Sequence, residues 1–321
     1  MQPAQQYSFT NIEIDKIDVD DTTFRITAPD DLDNLCQSIN HVGLLTPPFI
    51  QQKKHGYRIL TGFRRIAACR ALQVHRIQVL ELNKGITLLE CVKLVIADNA
   101  MTRPVNLMEK ANAYRLLSHH TNEDQELSDA ATAAGLPNPV KLIHQIEGLT
   151  LLPENIQNAI RTEAISLTIA LELGKLPHEI AALFGSYFQT FKLGLNRQRE
   201  MINQVVEISR RDHISMMEVL QHPDLQSIWG NMDLDKGEKA KQLRSRLRRM
   251  RFPALTEKET AIQKVIKDFA LPHRLKLSPP PFFESDDYTL LMSFSSISEL
   301  NTHQKKIKEL ISTRQLDSLF T

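Results

Sequence analysis

Cysteine, tryptophan and long apolar runs are scarce in these 321 residues, and each scarcity removes a class of function. The three cysteines, Cys36, Cys69 and Cys91, are an odd number without metal-ligand spacing, which argues against a disulfide framework and against a zinc site. No run of 18 or more apolar residues is present, so no segment reads as a membrane-spanning helix. The opening MQPAQQYSFTNIEID has neither a basic start nor an apolar core, which predicts neither a secretory leader nor an anchor and points to the cytoplasm. Disorder is excluded by what is present: 42% hydrophobic and 24% charged residues are close to the average of folded domains, and the length predicts two to four folding units.

A net charge of +1 hides an uneven distribution. Residues 106–191 are acidic, with 5 Lys and Arg against 10 Asp and Glu, whereas residues 192–276 are basic, with 18 against 11. The centre of the basic block, Lys236 to Arg251, sets eight cations against one Glu. Such a helix can be a solvated face, a polyanion-binding surface or a dock for an acidic protein.

The first hundred residues read as mixed α/β. NIEIDKIDV alternates like a strand, and Asp30 to Val42 carries Leu32, Leu35 and Ile39 at helical spacing before Gly43, a natural helix stop. Extended segments PPFIQQ and GYRIL flank a turn at Lys54-His55-Gly56, Gly62 opens a helix over Phe63 to Leu72, and residues 74–82 supply another strand. From Leu88 the pattern becomes helical, with breaks at Pro104, Gly135 to Pro139, Pro153, Gly174 to Pro177 and Pro223. The tail predicts two strands around an acidic turn and a closing amphipathic helix with Leu300, Ile307 and Leu310 on one side.

Three features of the first domain are candidates for chemistry. Gly43 to Pro47, GLLTP, is a helix exit into a strand. Thr61-Gly62-Phe63-Arg64-Arg65 runs from a strand through glycine into a helix N-terminus. Backbone N–H groups, the helix dipole and two guanidiniums there would make a phosphate cradle, although many ordinary strand-to-helix turns share the pattern. Asp98-Asn99, with Arg103 nearby, offers a carboxylate and an amide oxygen of the kind magnesium takes beside phosphates.

In this order the motifs resemble those of the ParB family of DNA-partition proteins. The family has a helix ending in Gly-x-x-x-Pro, a Gly-x-Arg-Arg phosphate loop, and a carboxylate-Asn motif before a Glu-x-Ala helix. Here they read GLLTP at Gly43 to Pro47, GFRRIAACRA at Gly62 to Ala71, and DNAMTRPVNLMEKANAY at Asp98 to Tyr114. The resemblance implies an α+β, mostly α chain. A small ParB/sulfiredoxin-like domain over residues 1–105 would precede a helical domain at 106–190, a basic helical region at 191–270 and a strand-strand-helix dimerisation element at 271–321. It also implies CTP as ligand, with Gly62, Arg64 and Arg65 on the phosphates, Thr46 at the nucleotide edge, and Asp98 and Asn99 on Mg2+. This chain departs from the family at Thr46, where Gln is usual, at Phe63, where Glu is usual, and at Asp98, where Glu is usual. A Phe can neither orient a water nor accept a proton, so hydrolysis is expected to be slow or absent. Sulfiredoxins and a free-serine kinase share the fold; the former need a cysteine beside the phosphate loop, and Cys69 sits two turns away.

Residues 124–152 look like a helix-turn-helix, followed by the Leu152-Pro153-Glu154 that the family also carries. Its second helix offers Asn138, Lys141, His144 and Gln145 to a groove, in a block whose net charge of −5 is unfavourable to DNA, so a purely structural helical spacer is the competing reading. Phosphate contacts are then expected from Arg244, Arg246, Arg248, Arg249 and Arg251, of which 244, 248 and 251 share a helical face. The tail is too small to bury its own apolar face, which favours a homodimer.

Together these readings predict a cytoplasmic, nucleoid-associated homodimer that binds double-stranded DNA under control of CTP and magnesium, in plasmid or chromosome partition. The first ten residues hold no Lys or Arg, so an arm for stimulating a partition ATPase is not evident. The alternatives are a phosphoryl-transfer enzyme on the same loop and an adaptor that senses nucleotide but no longer reads DNA.

Overall fold

The computed structural model describes residues 6–29, 31–283 and 285–319. The chain divides into two units, Met1–Gln198 and Arg199–Thr321. It is an α+β protein, mostly helical, as the sequence predicts.

Unit 1 begins with strand β1 (Tyr7–Glu13), a short 3-10 turn and β2 (Ile17–Asp18). Helix α1 (Asp33–Val42), the hairpin β3 (Phe49–Gln52) and β4 (Tyr57–Ile59), helix α2 (Phe63–Ala71) and β5 (Arg76–Leu82) follow. The five strands form one mixed sheet in the order β1-β5-β3-β4-β2, with β1–β5 and β3–β4 antiparallel and β3–β5 and β2–β4 parallel. Alternation in the strands drives one face onto α1 and α2. Ile12, Ile50, Ile59, Ile77 and Val79 from the strands are buried in one cluster with Ile39, Ile66 and Cys69 from the helices. The helix expected from Asp30 starts at Asp33, where Asp31 Oδ1 accepts the Asp33 N–H at 3.0 Å; Asp30 itself lies outside the described residues. Gly43 ends α1 at φ +78° and Gly56 turns the hairpin at φ +76°, where a Cβ would lie 2.5 Å from the Lys16 carbonyl oxygen.

Helix α3 (Leu88–Thr102) opens with a capping box between Thr87 and Glu90 and buries Cys91, Val92, Val95 and Ile96, a spacing that gives one continuous stripe. Its Cys91 lies beside Gln51 and Arg58 of the sheet. Helix α4 (Leu107–Ser118) opens with a second box, Asn106 and Glu109. It carries the fully buried Tyr114, whose hydroxyl donates to the Pro137 carbonyl at 2.7 Å and which burial pushes up to about 12. Helices α5 (Asp124–Ala133), α6 (Val140–Glu147), α7 (Glu154–Arg161), α8 (Leu167–Leu173) and α9 (His178–Phe191) complete the helical part, and α10 (Leu195–Asp212) runs across the division between units.

In unit 2, α10 is followed by α11 (Met216–Leu220), α12 (Pro223–Gly230), the basic α13 (Lys236–Arg251) and α14 (Pro253–Asp268). Pro223 is the first residue of α12, a position where the missing N–H costs nothing, and it marks the break between α11 and α12. The expected tail strands are β6 (Leu275–Ser278) and β7 (Thr289–Met292), paired antiparallel, and the last helix is α15 (Ile297–Ser312). Ile262, Phe269, Leu310 and Leu319 form the core of this end. Among the described residues no helix is long and apolar enough to cross a membrane.

Candidate functional site

The site grows from the crossing of β4 into α2. Leu60 and Thr61 both donate their N–H to the Phe49 carbonyl, at 2.9 and 3.2 Å, so the chain is still pinned to the sheet when it reaches Gly62. Gly62 sits at φ +83°, ψ +25°, as the N-cap of α2, and a Cβ there would lie 2.7 Å from Pro48 Cβ. Glycine is therefore required twice, by the left-handed backbone and by the closeness of Pro48. No side chain caps α2, which leaves the positive end of its dipole open.

A cavity of about 120 Å³ lies at this helix start, lined by Phe24, Ile26, Thr27, the whole run Leu60 to Arg65, Asn99 and Arg103. A larger recess of about 410 Å³ adjoins it, sharing Phe63 and Arg64 and adding Val19, Arg25, Pro29, Leu32, Ile59, Ala67 and Arg70. The first cavity is polar and small, the second mostly apolar with guanidiniums at its margin. Phe63 lines both spaces, and the Arg25 guanidinium stands over its ring at 5.6 Å.

Both loop arginines are held. Arg64 Nη2 donates to the Asp31 carbonyl at 3.0 Å. Arg65 Nη1 donates to the carbonyls of Thr46 and Pro47 at 2.7 and 3.4 Å, and its Nη2 lies 3.7 Å from Asp98 Oδ2. Burial pushes the Arg65 guanidinium below its ordinary range, and Asp98 partly restores it. Thr46 thus meets the loop through its backbone oxygen, and Asp98 meets it as the counter-ion of Arg65. Asn99 faces the small cavity and spends its Nδ2 on the Val95 carbonyl at 2.8 Å. Among the described residues no cluster of three or more His, Cys, Asp or Glu could hold a metal.

One contributor, Glu109, is not evident from spacing. Arg103 lines the cavity while its fork rests on Glu109, at 2.8 and 2.5 Å. Glu109 is 5% exposed and also accepts the Asn106 N–H at 3.0 Å. The N-x-x-E capping box at 106–109 was the readable signal; its second duty toward Arg103 was not.

The proposed DNA-contacting residues divide into two groups. In unit 1, Asn138 lies exposed in the turn before α6, not on the helix: its Nδ2 donates to Thr132 Oγ1 and its carbonyl accepts from Ser128, both at 3.0 Å. His144 stands between two acids, Asp124 at 3.0 Å and Glu147 at 3.6 Å. Lys141 is exposed and Gln145 half-exposed on α6. In unit 2, Arg244 meets Glu200 at 2.6 Å, Arg248 is bidentate on Glu259 at 2.7 and 3.2 Å, Arg246 pairs with Asp224 and Arg251 with Glu207. Arg249 is exposed. The shared face predicted for Arg244, Arg248 and Arg251 is the one opposed by acids. Cys69, 1% exposed, has its thiol pushed up by burial and by Cys36, the reverse of what a reactive cysteine needs.

Comparison with known proteins places the first domain. Residues 2–87 match the ParB N-terminal domain family. No curated protein matches the chain. Among solved structures it is similar to the C-terminally truncated chromosome-partitioning protein ParB from Caulobacter crescentus complexed with CTP-gamma-S. The identity is 18%, over 56% of this chain and 98% of that one, with a TM-score of 0.26. The same truncated protein complexed to the centromeric parS site gives 16%, 61%, 99% and 0.35 in the same order. A Pnob8-like ParB-N domain gives 12%, 76%, 97% and 0.39.

Proposed function

We propose that this chain, a divergent member of the ParB family through its N-terminal domain, is a partition protein that takes a nucleoside triphosphate, CTP in the first instance, at the start of α2 and uses it to control DNA binding. The observation that carries the reading is the small cavity at an uncapped helix start, lined by Gly62, Arg64, Arg65, Asn99 and Arg103. An open helix N-terminus with several guanidiniums is suited to a polyphosphate. The adjoining recess of about 410 Å³, apolar with Arg25, Arg64 and Arg70 at its margin, supports a sugar and base beside it.

Each residue then has a separate task. Gly62 lets the backbone approach the phosphates, and Arg64 and Arg65 neutralise them. Arg103 adds a third guanidinium, fixed by Glu109. For magnesium, the donor set of one carboxylate and one amide oxygen fits an ion that keeps most of its shell from water and phosphates, not one enclosed by protein. Asp98 and Asn99 would hold it, and Asp98 would release Arg65 to do so. The ion would supply charge neutralisation between phosphates. At Phe63 no group can accept a proton, so ligand is held and released with little turnover.

DNA reading is assigned to α5 and α6 as a helix-turn-helix, with Lys141 and Gln145 outward and Asn138 and His144 bracing the pair. The homodimer is assigned to the C-terminal strand-strand-helix element, where Leu291, Phe294 and Ile297 are exposed at 58%, 52% and 77%. Double-stranded DNA, a second copy and a partition ATPase are the partners of this reading, and the nucleoid its location. Calorimetric titration with CTP, ATP and GTP, each with magnesium, on wild type and Arg64→Ala tests it. Binding of one nucleotide, lost in the variant, is expected; no binding of any removes the proposal.

A further inference from the structure

Helix α13 is the most cationic stretch of the chain, yet acids from three other helices of unit 2 oppose it. The two on α10 are in register with it. Glu200 and Glu207 are seven residues apart, and so are their partners Arg244 and Arg251, so the two helices run in the same direction with the pairs two turns apart. Arg211 of α10 closes the C-terminal end by donating to the carbonyls of Met250 and Arg251 at 2.8 and 2.6 Å. Asp224 on α12 and Glu259 on α14 take Arg246 and Arg248. Four of the five arginines of α13 thus end on carboxylates.

The arrangement differs from a buried ionic core in one respect. Side-chain exposures are 27% and 35% for Arg244 and Glu200, and 27% and 47% for Arg251 and Glu207. Pairs so open to solvent are weak and salt-sensitive, and another anion of high charge density can displace their acids. A carboxylate receiving a guanidinium also occupies the place that a phosphate would take, since both accept the same planar fork.

We propose that Glu200 and Glu207 are phosphate mimics that latch Arg244 and Arg251, so that a duplex backbone reaches α13 only by displacing them. The proposal rests on reading the chain as a DNA-binding protein. Its consequence is that the sequence-blind electrostatic mode of α13 is held back in the free protein.

The test is fluorescence anisotropy of a labelled duplex of random sequence with the full chain, at 50 and 200 mM salt, using Glu200→Gln/Glu207→Gln and each single variant. Asp233→Asn is the control, because Asp233 is exposed in the same unit and removes one negative charge without freeing an arginine. Each phosphate contact adds about 0.9 to the salt slope, so two freed guanidiniums should give the double variant about tenfold more affinity gain than wild type between the two salt levels. Asp233→Asn should follow wild type. Variants that match a binding wild type, or that gain no more than the control, overturn the latch and leave the DNA reading intact. Variants that bind when wild type does not uphold the latch; silence from every protein overturns both. Thermal melts accompany each variant. Should the double variant not fold, Glu207→Gln alone is decisive, with half the slope change expected.

Discussion

Arg65 Nη2 lies 3.7 Å from Asp98 Oδ2, so a guanidinium assigned to phosphate and a carboxylate assigned to metal restrain each other across the start of α2. Their side chains are 21% and 22% exposed. Asp98→Asn frees Arg65 and removes the metal ligand in one step. Without magnesium the variant should bind nucleotide up to about fivefold more tightly, the equivalent of ~1 kcal/mol for a partly solvated pair. With magnesium the extra affinity that the ion gives wild type should vanish. Calorimetry with and without the ion reads both effects.

Gly62→Ala tests whether the loop is as constrained as its dihedrals suggest. The new Cβ meets Pro48 at 2.7 Å in a left-handed backbone, and the loss of stability should be about 1–3 kcal/mol. Thermal unfolding reports it. An unchanged melting temperature contradicts the strain argument.

Phe63→Glu introduces a carboxylate at the first position of α2. Phosphate release from CTP should be at background in wild type and measurable in the variant. The exchange also removes the ring under Arg25, so folding is checked by circular dichroism. Brisk turnover by wild type would show that the missing carboxylate is not needed.

Asp21 gives a sign that can be worked out in advance. Partial burial pushes its carboxyl up, but hydrogen bonds from Lys53 and Thr23 hold it at about 2, below the ordinary 3.8. Its contribution is therefore complete above about pH 4 and is lost as pH falls toward 2. Asp21→Asn should flatten the acid limb of the stability curve in that window by about 1 kcal/mol or less, allowing for solvent screening. Acid titration followed by ellipticity compares the two proteins.

Local signals were the most legible. Gly43 and Gly62 announce backbone that other residues rarely adopt, and both sit at positive φ where the sequence places a helix end and a helix start. Alternation in residues 74–82 and helical spacing from Leu88 place β5 and α3 to within two residues. What faces a side chain is a different matter. Spacing puts Arg244, Arg248 and Arg251 on one face of a helix, but Glu200, Glu207 and Glu259, which meet them, come from elements 44, 44 and 11 residues away. Asn138 and His144 were legible as polar residues of the helix-turn-helix segment, not as residues spent on Thr132 and Asp124. Periodicity records which residues share a side; folding decides which sides meet.

Glu109, 5% exposed, serves two elements beside the site. One buried acid fastens both the beginning of α4 and the fork of Arg103. A change that removed it would loosen a helix and a wall of the cavity together, so damage at that position would present at two addresses from a single cause.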